Sequence, residues 1–325
     1  MGLLVDGIWK DEGHEVRSGR FVRTPTTFRH WVTPDGGPGP SGRGGFAAEP
    51  ERYHLYVSLA CPWAHRTVIF RKLKKLEDVI SLSIVEPLMG SEGWVFGSGE
   101  GTIPDFVNRK RRLADIYLLA DPHYTGRVTV PVLWDRRQNT IVNNESSEII
   151  RMLNSAFDAF TDVRTDYYPA ELREEIDRVN DFVYENVNNG VYRAGFARSQ
   201  EAYEEAFLVL FAALDTLEGR LSGQRYLAGK RLTEADWRLF TTLVRFDAVY
   251  YSHFKCNLRR IADYSNLSNY LRELYQVPGV AETVSIDHIK RHYYGSHRHI
   301  NPSGIVPLGP ALDFSAPHDR GRFGA

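Results

Sequence analysis

Cysteine is nearly absent from this 325-residue chain, which holds only Cys61 and Cys256. Two thiols exclude a disulfide scaffold and fit a reducing cytosol, so the expected location is cytoplasmic. Neither sign of charge is in excess. Forty Lys and Arg against forty-one Asp and Glu leave a net charge of −1, and nothing here suggests a nucleic-acid or anionic-membrane binder. Apolar runs are only a few residues long, too short for a transmembrane helix. The start, Met1-Gly2-Leu3-Leu4-Val5-Asp6-Gly7, has no basic stretch or apolar core, and no secretory signal is expected. No internal repeat is visible. What is present is ordinary globular composition, 42% hydrophobic and 25% charged, in a chain long enough for two domains.

Residues 1–50 are rich in Gly, Pro, Arg and Thr, and the stretch Asp35 to Gly45 can hold neither a helix nor a central strand. Phe21, Phe28, Trp31 and Phe46 supply apolar anchors, so this segment is expected to be an extended arm packed on the first domain. From Tyr53 the pattern sharpens. Tyr53 to Leu59 reads as a strand, residues 62–76 as a helix, and Ile80 to Ile84 as a second strand: a βαβ unit. Residues 86–127 interrupt it with glycines and the basic run Arg109 to Arg112, a long loop with a short helix and a solvated charged face. Strands are expected again at Thr129 to Trp134 and Thr140 to Val142. The first would start after a bend at Pro131, through a cis Val130–Pro131 bond. A helix then begins near Glu145 with Asn144 as N-cap. The expected fold is thus βαβ-ββα over residues 51–158. Beyond 159 strand signals fade, and helical periodicity covers 171–189, 200–221, 233–254 and 264–276, ending in an irregular tail from Asn301. Thr233 and Asp236 form a capping box of structural, not catalytic, meaning.

Cys61 lies between a strand and a helix whose first residue is Pro62, where proline is pre-organised and loses no needed N–H. A thiol there meets free backbone N–H groups and the positive end of the helix, which favour thiolate; His65 and Arg66 add positive character. The motif is Cys-Pro-Trp-Ala. Ala64 stands where a resolving thiol would be, and Cys256 lies in the other domain. A mixed disulfide at Cys61 must therefore be resolved by another molecule, for which glutathione is the obvious cytosolic candidate.

These residues resemble a known family. The order of elements, the helix-start thiol, Val130-Pro131 and Glu145-Ser146 look like a glutathione transferase with a thioredoxin-like first domain and an all-helical second one. The resemblance is closer still to the glutathionyl-hydroquinone reductases, the Xi class. It rests on Leu59 to Arg66, Gly93-Trp94-Val95-Phe96, Thr129 to Asp135, Ile141 to Ile150, Gly190 to Ala197, His292-Tyr293-Tyr294 and Asn301-Pro302, and spans nearly the whole chain.

The resemblance implies Cys61 as nucleophile and glutathione as co-substrate, with no tightly bound cofactor. Val130 would offer backbone groups to the cysteinyl peptide. Glu145 would hold the γ-glutamyl ammonium, and Ser146 with the helix-start N–H groups its carboxylate. Trp94 and Arg127 match further glutathione contacts. Tyr192, Tyr250 and Tyr293 match the tyrosines lining the quinol pocket, with Tyr192 and Tyr293 the candidate proton donors. Plainer readings stand beside these: a surface acid at Glu145, a loop anchor at Trp94, a solvated charge at Arg127, packed phenols at the tyrosines. The implied partners are glutathione and glutathionyl-hydroquinones, and the implied assembly is a homodimer. An Omega-like thioltransferase or dehydroascorbate reductase shares the cysteine and the glutathione site. A non-catalytic transferase-fold interaction module is the other alternative. His288, His292, His297 and His299 lack partners at zinc spacing, and no metal is expected.

Overall fold

A computed structural model of the chain describes residues 2–13 and 16–324. The amino-terminal arm carries four short strands, β1 (Leu3–Val5), β2 (Ile8–Lys10), β3 (Val16–Arg17) and β4 (Arg20–Phe21). Next come β5 (Tyr53–Val57), α1 (Pro62–Leu73), β6 (Ser81–Ile84), α2 (Leu113–Ala120), β7 (Gly126–Arg127), β8 (Val132–Asp135), β9 (Thr140–Asn143) and α3 (Ser146–Ser155). The rest is helical: α4 (Arg173–Val183), α5 (Gly190–Gly195), α6 (Gln200–Gly223), α7 (Glu234–Arg245), α8 (Ser265–Tyr275) and α9 (Ile286–Ser296). The chain forms two compact units. One comprises Met1–Gly13, Thr24–Thr165 and Thr283–His292; the other His14–Arg23, Asp166–Glu282 and Tyr293–Ala325.

The first unit is built on a four-stranded sheet of order β6-β5-β8-β9. β5 pairs parallel with β6 and antiparallel with β8, so Leu55 lies between Leu82 and Leu133. Every residue of β5 and β8 is buried, as central strands covered on both faces must be. This is the βαβ-ββα order of a thioredoxin-like domain. β8 starts one residue after the cis Val130–Pro131 bond. The arm is more ordered than an extended strap: β1 and β2 form a hairpin that β7 extends to three strands.

Two expectations about domain limits are corrected. The arm does not lie wholly on the first domain, because His14–Arg23 belongs to the second unit. Phe21 is the reason: its ring packs 5.5 Å from Phe196 and 6.4 Å from Tyr192. Nor does all of 159–325 form one helical domain, because Thr283–His292 packs in the first unit. There His65 Nε2 and Thr283 Oγ1 are 2.8 Å apart, and His288 Nε2 donates to the Glu100 carbonyl at 2.7 Å. Apolar periodicity does not mark α9, since Ile289 is joined on its buried side by His288, His292, Tyr293 and Tyr294.

In the second unit the helices run near the expected spans, but two are broken by π-turns at Tyr184–Asn188 and Phe246–Tyr250. The irregular tail is tied down by Arg320, fully buried, whose guanidinium donates to the carbonyls of Leu221, Gln224 and Arg225 at the end of α6. Thr233 and Asp236 form the expected capping box. Fully buried, Asp236 accepts from Thr233 N–H and hydroxyl, from Leu227 N–H, and from the Tyr270 hydroxyl at 2.8 Å. Burial holds its carboxyl above the usual range, and those donors offset only part of that. Asp236→Ala would strand several buried donors at once. The expected loss is about 3 kcal/mol of stability, read as an earlier urea midpoint for the helical unit by tryptophan fluorescence. An unchanged midpoint would remove the box from the account of this unit's stability.

Candidate functional site

A residue before proline is steered away from helical φ/ψ. Cys61 is accordingly extended, with φ −77° and ψ 122°, and serves as N-cap of α1 with Pro62 in the first turn. It is half-buried, and its Sγ donates to the Val130 carbonyl at 3.7 Å. The βα turn and the bend before β8 thus bring together Cys61 and Val130, far apart in sequence. Cys256 is fully buried, and burial pushes its thiol up. Of the two thiols, Cys61 alone is partly exposed.

At α3 the N-cap is Glu145, not Asn144. Asn144 is used elsewhere: its side chain accepts from Phe28 N–H and donates to the Tyr117 hydroxyl, bracing the arm. Asn143 Oδ1 instead fixes the Glu145 N–H at 2.7 Å. The Glu145 carboxylate accepts from Ser147 N–H at 3.1 Å, from the Ser147 hydroxyl at 3.0 Å, and from Thr26 at 3.2 Å. Two carboxylate oxygens accept about four hydrogen bonds, so one position is left. Burial opposes the charge on Glu145, but the Ser147 donors and the cations Arg66 and Arg29 outweigh it and hold the carboxyl below its usual range. Ser146, buried, receives a hydrogen bond from Arg66 at 3.3 Å.

Trp94 is buried and stacks on His292, with ring centroids 4.8 Å apart and planes at 24°. His292 Nδ1 in turn donates to the Pro87 carbonyl at 3.0 Å. His288 and His292, one helical turn apart, thus bind carbonyls of the 86–127 segment. Arg127 is half-buried in β7, and its guanidinium donates to the carbonyls of Glu12 at 2.8 Å and of Gly13. Trp94 is thereby anchored to α9 and Arg127 to the arm.

The three tyrosines meet in the second unit. The Tyr293 hydroxyl lies 2.6 Å from that of Tyr192 and 3.0 Å from that of Tyr250. Burial drives the phenols of Tyr250 and Tyr293 well above their usual range, the neighbouring hydroxyls add to this, and the charge of Arg245 opposes it. All three therefore converge, Tyr250 through the second π-turn, which advances the helix by one residue and leaves no trace in the periodicity.

Residues 60–156 match the family "Glutathione S-transferase, N-terminal domain" and residues 200–273 match "Glutathione S-transferase, C-terminal domain". Glutathionyl-hydroquinone reductase YqjG of Escherichia coli is 57% identical, over all of both chains. The chain belongs to the Xi-class glutathione transferases, the glutathionyl-hydroquinone reductase family. The glutathione-bound structure of YqjG superposes with a TM-score of 0.91, covering 98% of this chain and 99% of that one. Glutathionyl-hydroquinone reductase PcpF of Sphingobium chlorophenolicum is 57% identical over 96% of this chain and 97% of its own. The Xi-class transferase of Natrialba magadii, 51% identical, gives a TM-score of 0.92 over 99% of this chain and 97% of that one. The match to YqjG spans the whole chain, arm and tail included. Among the described residues no helix is long and apolar enough to cross a membrane.

Proposed function

We propose that the chain uses glutathione to reduce glutathionyl-hydroquinones to free hydroquinones. The observation that carries this is a single accessible thiol at a helix N-cap beside the Val130 carbonyl, in a chain matching two glutathionyl-hydroquinone reductases end to end. The Cys61 thiolate attacks the sulfur of the conjugate. A sulfur–sulfur bond forms, the sulfur–carbon bond breaks, and the aromatic carbon leaves with the electron pair and takes a proton. The Tyr192–Tyr293–Tyr250 cluster, three phenols joined through their hydroxyls, suits delivering that proton or holding the ring oxygens. A second glutathione thiolate then attacks the mixed disulfide, releasing glutathione disulfide and restoring Cys61. The ring gains two electrons, and the two sulfurs lose them.

Glutathione is held in this reading by Val130 through its backbone, by Glu145 at the γ-glutamyl ammonium, and by Ser146 with the α3 N–H groups at the carboxylate. Trp94 and Arg127 supply further contacts. The unit that holds Cys61 and Glu145 is the glutathione domain, and the helical unit carries the quinol site. The protein works in the cytoplasm as a homodimer, without a tightly bound cofactor, and takes neither nucleic acid nor membrane as partner.

The test is turnover of a simple glutathionyl-hydroquinone with glutathione. One glutathione disulfide per quinol released is expected. Inertness toward several such conjugates, with activity on a small glutathione mixed disulfide, would replace this reading by an Omega-like thioltransferase. Silence in both assays would leave an interaction module.

A further inference from the structure

The part of the arm that belongs to the second unit is held there at successive residues. The Arg198 N–H donates to the Gly19 carbonyl at 2.9 Å, Arg20 pairs with Glu205, and Phe21 packs against Phe196 and Tyr192. These contacts bring the half-buried Arg23 to the tyrosine cluster. Its guanidinium carbon lies over the Tyr192 ring, 5.3 Å from the centroid. Its Nε donates to Asn189 Oδ1 at 2.8 Å, and the Asn189 carbonyl accepts the Tyr192 N–H at 3.0 Å. One buried asparagine thus fixes both the cation and the backbone of the phenol it covers. Arg52, Arg225 and Arg259 also cover tyrosines, but ones close by in sequence. Arg23 reaches its ring from the amino-terminal arm.

Tyr192 also differs from its two partners in exposure: 9%, against 0% for Tyr250 and 1% for Tyr293. Its hydroxyl is tied to that of Tyr293 at 2.6 Å. A phenol that gives up its proton is left with negative charge on its oxygen and, by resonance, over its ring. A cation above the ring face attracts that charge more strongly than it attracts the quadrupole of the neutral phenol. The attraction therefore grows as the proton leaves, and an interaction that grows toward the transition state raises the rate rather than the affinity.

We propose that Arg23 is a positioning residue for the quinol step: brought in by the amino-terminal arm and locked by Asn189, it promotes transfer of the Tyr192 proton to the ring carbon as the carbon–sulfur bond breaks. The electron pair of that bond forms the new carbon–hydrogen bond. The negative charge passes to the Tyr192 oxygen, and a proton from solvent restores the hydroxyl. The proposal rests on the reading in which the tyrosine cluster serves the quinol.

The experiment compares two reactions of the full chain. Single-turnover release of quinol from glutathionyl-hydroquinone, at saturating conjugate and without free glutathione, includes the proton transfer to carbon. Reduction of the mixed disulfide of glutathione and 2-mercaptoethanol uses Cys61 and glutathione but protonates no carbon. Arg23→Gln removes the charge and keeps a donor for Asn189. It should slow quinol release about tenfold and leave disulfide reduction within twofold. Arg23→Lys keeps a cation and should stay within about threefold in both assays. Once Tyr192→Phe has removed the hydroxyl, Arg23→Gln should cost less than a further twofold. If Arg23→Gln does not fold, Arg23→Met removes the same charge and carries the test. Four results would each overturn the proposal: equal losses in the two assays, unchanged quinol release, a loss in Arg23→Lys as large as in Arg23→Gln, or a tenfold loss that persists without the Tyr192 hydroxyl. Failure of the wild type to release quinol, with disulfide reduction intact, would overturn the quinol reading itself and the proposal with it.

Discussion

Cys61→Ala is expected to cut turnover of glutathionyl-hydroquinones by at least about a thousandfold. Both bond changes at sulfur pass through this atom, and no second thiol can stand in. Cys256 is fully buried with its thiol pushed up, so it offers no thiolate at neutral pH. Cys61→Ser should fail as completely, because a serine hydroxyl at a helix start stays protonated and sulfur is a poor electrophile toward oxygen. Cys256→Ser should leave kcat within a few-fold. The intermediate gives an independent readout. Wild-type protein mixed with a glutathionyl-hydroquinone and no free glutathione should stop after one equivalent of quinol, with glutathione bonded to Cys61 in the peptide map. Retained turnover in Cys61→Ala, or an adduct on Cys256, would end the covalent mechanism.

Much of the fold is legible in the sequence, for physical reasons that differ between elements. The first domain can be read because each part carries local punctuation. Pro62 forbids Cys61 from joining the helix. Pro131 cannot sit within a ladder, so β8 must start behind it, and the polar turn at 136–139 returns the chain into β9. These are one-residue effects, and they survive whatever packs around them. Resemblance points to the site residues but not to their partners. Asparagine caps helices well in isolation, which favours Asn144 at the start of α3. The arm decides otherwise, since Phe28 N–H and the Tyr117 hydroxyl occupy the Asn144 amide. Arg66 follows Cys61 closely in sequence, but no local rule indicates that its guanidinium donates to Ser146 at the start of α3. No local rule indicates that α9 begins by gripping the carbonyls of Pro87 and Glu100, or that Phe21 ties part of the arm to the second unit. Those contacts join segments distant in sequence, and their donors are histidines and backbone, which leave no periodic signal.

The second large effect expected is on acid stability, and it comes from His54 in the central strand. Ser83 donates to the Pro104 carbonyl at 2.9 Å, so its oxygen accepts from His54 Nε2, also at 2.9 Å. Nε2 therefore carries the hydrogen, and Nδ1 accepts from Ser81 at 2.6 Å. Both ring nitrogens are satisfied in the neutral form, and a second proton would have to displace the Ser81 donor in a fully buried place. Burial, with help from Arg136 and Arg71, brings the imidazole pKa down from 6.5 to about 3. The unfolded chain protonates His54 near 6.5, and the folded one does not until far lower. Between those values the unfolded state holds one more proton. Stability from this group is therefore complete above pH 6.5 and falls by about 1.4 kcal/mol per pH unit below it. By pH 4 that is on the order of 3 kcal/mol, a large part of what holds a domain together. His54→Gln keeps a donor for Ser83 and cannot titrate. It should be less stable than the wild type at pH 7 by about 1 kcal/mol, yet lose less on acidification. Proton uptake on unfolding at pH 5, measured calorimetrically in buffers of different ionisation enthalpy, should fall by about one proton in the variant. Equal uptake in the two proteins would mean that His54 is already charged in the folded sheet, and that Ser81 does not donate to its Nδ1.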